Sequence, residues 1–291
     1  MTDLVWLRSA GLSAAINPFG AELTHLRDAD GRELMTDADP AYWPRHAPIL
    51  FPAIGVTNGG VIRVDGTTHP MPKHGFARDM AFTVSAQGED HATFTLTDTA
   101  ATRAAYPYAF RLDITFRLAG ATLAIEARIT NPADTALLAQ FGFHPAFAWP
   151  LPYGEDRADH RIVFAADEPA RLRAITPDGL IAAETRDSPL EGRTLPLADA
   201  LFVDDALVWD PVESRSVHYG AETGPRLRID FPDTDKLGIW TKPGAAFVCV
   251  EPWHGIADPT GFTGEYRDKP GVFPVAGGAS KTIAMHVTLE S

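Results

Sequence analysis

"RLDITFRLAGATLAIEARIT", residues 111–130, alternates apolar with polar or charged side chains on both sides of Ala119-Gly120. A helix brings its apolar residues round every three or four positions, whereas a strand with one covered face does so every second position. Leu112, Ile114, Phe116 and Leu118 keep the two-residue period, as do Leu123, Ile125, Ala127 and Ile129. The segment therefore reads as an antiparallel hairpin turning at Ala119-Gly120.

The same period recurs in HATFTLTD (91–98), HRIVFAAD (160–167), PRLRIDF (225–231), LGIWTKP (237–243) and TIAMHVTLE (282–290). VIRVDGTTH (61–69) and LRDADGREL (26–34) each carry Asp-Gly, a strong signal for a two-residue hairpin turn. Helical periodicity is nearly confined to DTAATRAAYP (98–107), a short segment stopped by Pro107. With 24 Gly and 24 Pro separating many short strands, the expectation is an all-β chain with few short helices, built as a large antiparallel sandwich or distorted barrel. No fixed-period repeat or low-complexity linker occurs. The irregular stretches 148–160 and 187–206 mark no boundary, so residues 1–291 are expected to form a single domain.

Hydrophobic residues make up 45% of the chain, enough for a substantial core, and the formal net charge is -13. That field repels nucleic acid and anionic membranes, so neither is an expected partner, although a local pair of arginines can still hold a small phosphorylated ligand. The one cysteine, Cys249, lies in an apolar run and reads as a small buried hydrophobe; neither an intrachain disulfide nor a thiolate cluster can form from it. The segment MTDLVWLRSAG lacks a basic start followed by a long apolar stretch, and no run approaches the ~20 apolar residues of a membrane span. A reducing cytoplasm is the expected location.

Chemistry should sit where apolar runs stop, because a sheet fixes the backbone there and leaves the side chain access to a cleft. Three places fit. MPKHGFARD (71–79) crowds Lys73, His74 and Arg78 around a glycine; AQFGFHPAF (139–147) ends an aromatic strand on His144-Pro145; FVCVEPWHG (247–255) ends an apolar run on Glu251. A lone histidine among aromatics is ordinarily a packed core residue, and a buried carboxylate is as often an ion-pair partner, so each place is weak by itself. Their shared pattern of apolar run, ionisable residue and proline carries more weight.

In this order and at these separations, KHGFARD, GFHPAF and CVEPWHG resemble the aldose 1-epimerase (galactose mutarotase-like) superfamily, in particular a bacterial branch of uncharacterised epimerase-like proteins. PRHAPILFPAIG (44–55), AAYPYAF (104–110), LFVDDAL (201–207) and GIWTKPGAAFVCVEPW (238–253) extend the resemblance over most of the chain. It implies a β-supersandwich with an open cleft for a hexose, working without a metal or organic cofactor. By the same resemblance, Glu251 matches the catalytic base, His144 the catalytic acid, and His74 a second histidine that binds and polarises the sugar. Asp205 falls near a sugar-binding aspartate, with Asp204 beside it as the alternative. Arg45, Lys73 and Arg78 are candidates for hydroxyl or phosphate contacts, and Trp240 and Trp253 for a flat apolar platform. Many relatives place an arginine after FPxxG, where this chain has Val56.

The implied activity interconverts the anomers of a hexose, or of a hexose 6-phosphate, by acid/base ring opening and closure in a monomer or homodimer. A carboxylate and an imidazole suit the two proton transfers because both can be tuned toward neutral pH. Two rival readings remain at this level. Two histidines and a carboxylate also match an iron-binding facial triad, though no His-x-His or His-x-Asp/Glu pair accompanies them. A sugar-binding sensor without turnover would keep the same groups.

Overall fold

The computed structural model of the protein describes residues 3–291. The hairpin at 111–130 forms as antiparallel strands Arg111–Ala119 and Thr122–Thr130, with Ala119 opposite Thr122 and Arg111 opposite Thr130. The turn is Gly120-Ala121, one position later than expected, and Gly120 supplies its positive φ of 57°. The apolar set of each strand is buried while the alternate set faces outward or is half-buried.

These strands lie within a nine-stranded sheet in the order Thr194–Pro196, Arg161–Phe164, Ser216–Gly220, Arg226–Asp230, Ser280–Glu290, Thr122–Thr130, Arg111–Ala119, His91–Thr97, Thr83–Gln87. A second sheet runs Ile181–Arg186, Leu172–Ile175, Leu207–Trp209, Lys236–Trp240, Phe247–His254, Phe141–Phe143, Ile49–Leu50, with Ala146–Ala148 also paired to Phe247–His254. One apolar cluster joins Leu112, Ile114 and Phe116 of the first sheet to Leu237, Ile239, Val248 and Val250 of the second. The two sheets thus bury one face of each against the other, at about 1.5–3 kcal/mol per fully buried large apolar side chain. Val5–Arg8, Leu12–Asn17 and Glu22–Asp28 form a three-stranded sheet that adds to the same cluster.

The helix expected within 98–107 is Ala100–Ala105, the one α-helix among the described residues, held by a capping box between Thr99 and Thr102. Asp65-Gly66 makes the expected tight hairpin turn, both residues having positive φ (48° and 78°). Asp-Gly at 30–31 does not make a two-residue turn. There the Asp28 carboxylate accepts the N–H groups of Asp30 and Arg32, opening a longer loop that Gly31 closes at φ 83°.

A larger difference concerns the strand holding Glu251. The apolar run was expected to end there, but the strand continues through Glu251, Pro252 and Trp253 to His254. It lies inside the second sheet and is buried on both faces, which explains the continuous apolar run at 247–250. Val248 and Val250 point into the inter-sheet core. Phe247, Cys249 and Trp253 belong to smaller apolar clusters apart from that core, and Glu251 shares their period-two face.

Candidate active site

The flanking strand is broken where it passes Glu251. Phe141–Phe143 pairs with Trp253 and His254, Ala146–Ala148 pairs with Phe247 to Cys249, and His144-Pro145 falls between the two pieces. The Pro145 carbonyl still accepts the Val250 N–H, while the residue before it leaves the ladder. His144 Nε2 thereby comes to 3.2 Å from Glu251 Oε2. Among the described residues this is the only ion-pairing partner within reach of Glu251, whose side chain is 2% exposed.

His74 arrives from a turn and not from a strand end. Its φ is 67°, a costly conformation for a residue with a Cβ, and it is fixed by two hydrogen bonds to Gly55. The His74 N–H donates to the Gly55 carbonyl, and the Gly55 N–H donates to His74 Nδ1 at 3.1 Å. Nδ1 is thus an acceptor, so the neutral ring carries its hydrogen on Nε2. The rings of His74 and His144 meet edge-to-face with centroids 5.7 Å apart.

Trp43 stacks on His144 at 4.8 Å and 25°, and Trp240 meets both rings edge-on. Trp253 lies flat because both neighbouring strands offer glycine. A Cβ at Gly238 or at Gly142 would stand 2.6 Å from its indole. Among the described residues, the buried Trp253 Nε1 and His144 Nδ1 atoms have no hydrogen-bond partner of good geometry.

These groups surround a cavity of about 370 Å³. All nine residues singled out from the sequence line it: Arg45, Lys73, His74, Arg78, His144, Asp205, Trp240, Glu251 and Trp253. Of the two aspartates, Asp205 reaches this cavity, at φ 72° with its carboxylate accepting the Ala206 N–H, while Asp204 lines a neighbouring hollow. Arg45 and Arg78 both approach Asp79, at 2.6 and 3.7 Å, and Arg78 also donates to the Lys73 carbonyl. Val56 does not line the cavity; it packs against Gly179, which does.

Sequence reasoning missed Trp43 and the apolar wall of Ile54, Ile175, Ile181 and Ala257. A tryptophan in the proline-flanked loop PAYWPR was the available signal for the first. The wall gave none, since isoleucines that face a cavity read the same as isoleucines in a core.

Burial dominates the electrostatics. It pushes the Glu251 carboxyl well above its ordinary 4.5, Asp205 adds to the rise, and Lys73 opposes it. Burial also lowers His144 to about 3, helped by the positive charge of Arg78, Lys73 and Arg45. His74 is lowered well below 6.5 by burial first and by His144 next. The imidazoles are therefore neutral at physiological pH, and the charge that counters the desolvation of Glu251 belongs to Lys73.

His144, Cys249 and Glu251 present potential metal-ligand atoms within 4.8 Å of one another. Coordination would require the Cys249 thiolate, and burial pushes that thiol well above its ordinary range, with Glu251 adding to the rise. His74 is not part of this cluster, so the two-histidine, one-carboxylate triad of the rival reading is not assembled.

A model of the family described as aldose 1-epimerase matches residues 3–270. The chain belongs to the aldose 1-epimerase family. Protein LacX of Lactococcus lactis subsp. lactis, in its chromosomal form, is 32% identical over 279 residues, covering 92% of this chain and 93% of the relative. A galactose mutarotase-like protein from Lactobacillus casei has a structure that superposes with a TM-score of 0.92 at 30% identity, covering 99% of this chain and all of the other. A galactose mutarotase related enzyme from Lactobacillus acidophilus gives 0.91 at 27% identity, covering 99% of this chain and 98% of the other. The fold is that of the galactose mutarotase-like proteins, as the resemblance implied. Membership in the aldose 1-epimerase family places the chain among carbohydrate epimerases.

Proposed function

We propose that the protein is an aldose 1-epimerase that interconverts the α and β anomers of a hexose, with Glu251 and His144 moving the protons. The observation that carries this reading is the buried pair itself, 3.2 Å apart on a cavity wall. Anomerisation needs a proton taken from the C1 hydroxyl and a proton given to the ring oxygen. Both oxygens are bonded to C1, so two proton-handling atoms about 3 Å apart can serve them together.

The pair carries one exchangeable proton between carboxyl and imidazole. In the empty cavity burial keeps it on the carboxyl; passage to Nε2 gives carboxylate and imidazolium with no change in total charge. Glu251 then accepts the O1 proton as the C1–ring oxygen bond breaks and C1=O1 forms. His144 donates to the departing ring oxygen. Rotation about C1–C2 and reversal of the same transfers close the ring on the other face. His74, donating from Nε2, polarises the sugar oxygen beside it, Asp205 accepts from a hydroxyl, and Trp43, Trp240 and Trp253 cover the apolar faces of the ring.

A second reading has support of its own. Arg45, Lys73 and Arg78 all line the cavity, and the buried Arg78 Nε, 3.7 Å from Asp79, has no hydrogen-bond partner among the described residues. A hexose 6-phosphate would fit that cationic side. An anomerisation assay over free and 6-phosphorylated glucose and galactose separates the two. Faster turnover of the free sugars supports the first reading, and preference for the phosphates supports the second. Calorimetric binding without acceleration of any of them would leave a sugar-binding protein.

A further inference from the structure

Gln140 is a wholly buried side-chain amide in the apolar run LLAQFGF (137–143). It stands where the chain leaves the pairing of Leu137–Ala139 with Phe273–Val275 and enters the second sheet at Phe141–Phe143. Its Oε1 accepts the Ile54 N–H at 3.0 Å, and its Nε2 donates to the Ile256 and Pro270 carbonyls at 3.1 and 3.0 Å. A donor on one side and two carbonyls on the other settle which way round the amide lies. The Gln140 N–H and the Tyr266 hydroxyl both donate to the Pro52 carbonyl. The segment 52–54 is thus held from behind, and Ile54 and Gly55 pass from it onto the cavity wall. Gly55 decides the state of the His74 ring, because its N–H donates to Nδ1 and leaves the ring hydrogen on Nε2. That N–H belongs to the peptide unit between Ile54 and Gly55. Half a turn of the unit would present the Ile54 carbonyl to His74, so that Nδ1 would carry the hydrogen and Nε2 would become an acceptor. Glycine takes either sign of φ at little cost, so Gly55, at 66°, does not by itself hold the unit in place. The bonds on either side do: the Ile54 N–H on Gln140, and the His74 N–H on the Gly55 carbonyl.

Resting on the epimerase reading, in which His74 donates from Nε2 to a sugar oxygen, we propose that Gln140 is a positioning residue that sets the tautomer of His74. It touches neither the sugar nor the ring. By fixing Ile54 it keeps the Gly55 N–H aimed at Nδ1, and the nitrogen left facing the cavity is therefore a donor. An apolar side chain of the same length would fill the same space but leave the Ile54 N–H and two carbonyls unanswered, and the peptide unit beside them would be free to turn.

The experiment reads the tautomer directly, by two-bond ¹⁵N–¹H NMR of protein labelled in histidine at pH 7.5, with the His74 signals assigned by their loss in His74→Asn. The wild type should show His74 protonated on Nε2; a ring protonated on Nδ1 overturns the proposal before any variant is made. Gln140→Met should shift the tautomer ratio about tenfold toward Nδ1–H, the size of one buried hydrogen bond. Its kcat for glucose anomerisation should fall in proportion to the lost Nε2–H population, with KM within about threefold of wild type. Gln140→Asn, polar but too short to span Ile54 and the two carbonyls, should act in the same direction and serves if Gln140→Met does not fold. Gln140→Glu still offers an oxygen to the Ile54 N–H, and, kept protonated by its burial, should restore the wild-type tautomer. A folded Gln140→Met or Gln140→Asn that keeps the wild-type ratio overturns the proposal, whether or not kcat falls, because a fall without a tautomer change is a packing effect. Since the tautomer is read without sugar, a shifted ratio in a protein whose wild type accelerates no sugar upholds the role of Gln140 and refutes the epimerase reading instead.

Discussion

A carboxyl that the fold keeps protonated is a liability to stability. Folded Glu251 holds its proton more tightly than the unfolded chain does. Below its ordinary value of 4.5 both states are protonated and no penalty arises; as pH rises above 4.5 the unfolded state gains by ionising and the native state is progressively disfavoured, until the raised native value is reached. Glu251→Gln removes that penalty. The thermal midpoint of the variant relative to wild type should therefore rise between pH 4.5 and pH 8 and show little difference near pH 4. His144 has the opposite sign, its neutral form losing ground as pH falls from 6.5 toward 3, and because both proteins carry it the effect largely cancels in the difference. A midpoint difference that shrinks with rising pH would contradict the assignment. At this scale the identities of the site residues were legible and their charge states were not. Residue type names a histidine, but whether it is cationic depends on burial and on Lys73, Arg45 and Arg78, which only the fold brings near.

Element by element, the alternation at 111–130 was enough to place two long strands, because the hairpin has one covered face and local sequence records which face that is. It was insufficient for Phe247–His254. A strand buried on both faces loses its alternation, so the sequence could not show that the strand runs past Glu251. Nor could it show that the neighbouring strand breaks at His144-Pro145, the feature that joins acid and imidazole. Gly142 and Gly238 are equally silent in sequence, yet they let the Trp253 indole lie flat across both flanking strands. Gly238→Ala would put a methyl carbon 2.6 Å from the indole as it stands, an overlap that only movement of the ring or strand relieves. The expected cost is about 1–3 kcal/mol in urea unfolding, together with weaker sugar binding as the displaced ring enters the cavity. Wild-type stability and affinity in that variant would show that the indole is not clamped as described.

On the scale of the whole molecule, the cavity wall depends on a distant ion pair. Lys269 Nζ and Asp258 Oδ1 are 2.7 Å apart and both almost wholly buried. Asp258 also accepts the Asn58 N–H, and its own N–H donates to the Val56 carbonyl. The loop 54–58 is thereby tied to 256–258, and Gly55 packs so closely on Ala257 that a Cβ there would stand 2.4 Å from the Ala257 methyl. Asp258→Asn leaves Lys269 uncompensated and should cost about 3–5 kcal/mol in urea unfolding, because breaking one side of a buried pair strands the other charge. A loss under about 1 kcal/mol would mean the pair is solvated in practice. Nothing in the sequence suggested this link. The two charges are single letters in loops, and long-range pairing leaves no local pattern.

The account turns on Glu251 accepting a proton from the sugar. Polarimetry of freshly dissolved α-glucose and α-galactose measures that step, with Glu251→Gln compared against wild type after circular dichroism has verified the fold of each. The wild type should speed the approach to anomeric equilibrium, and the glutamine variant, whose amide cannot take the proton, should lose about 10²–10⁴-fold of that acceleration. A variant as fast as the wild type would contradict the proposed chemistry.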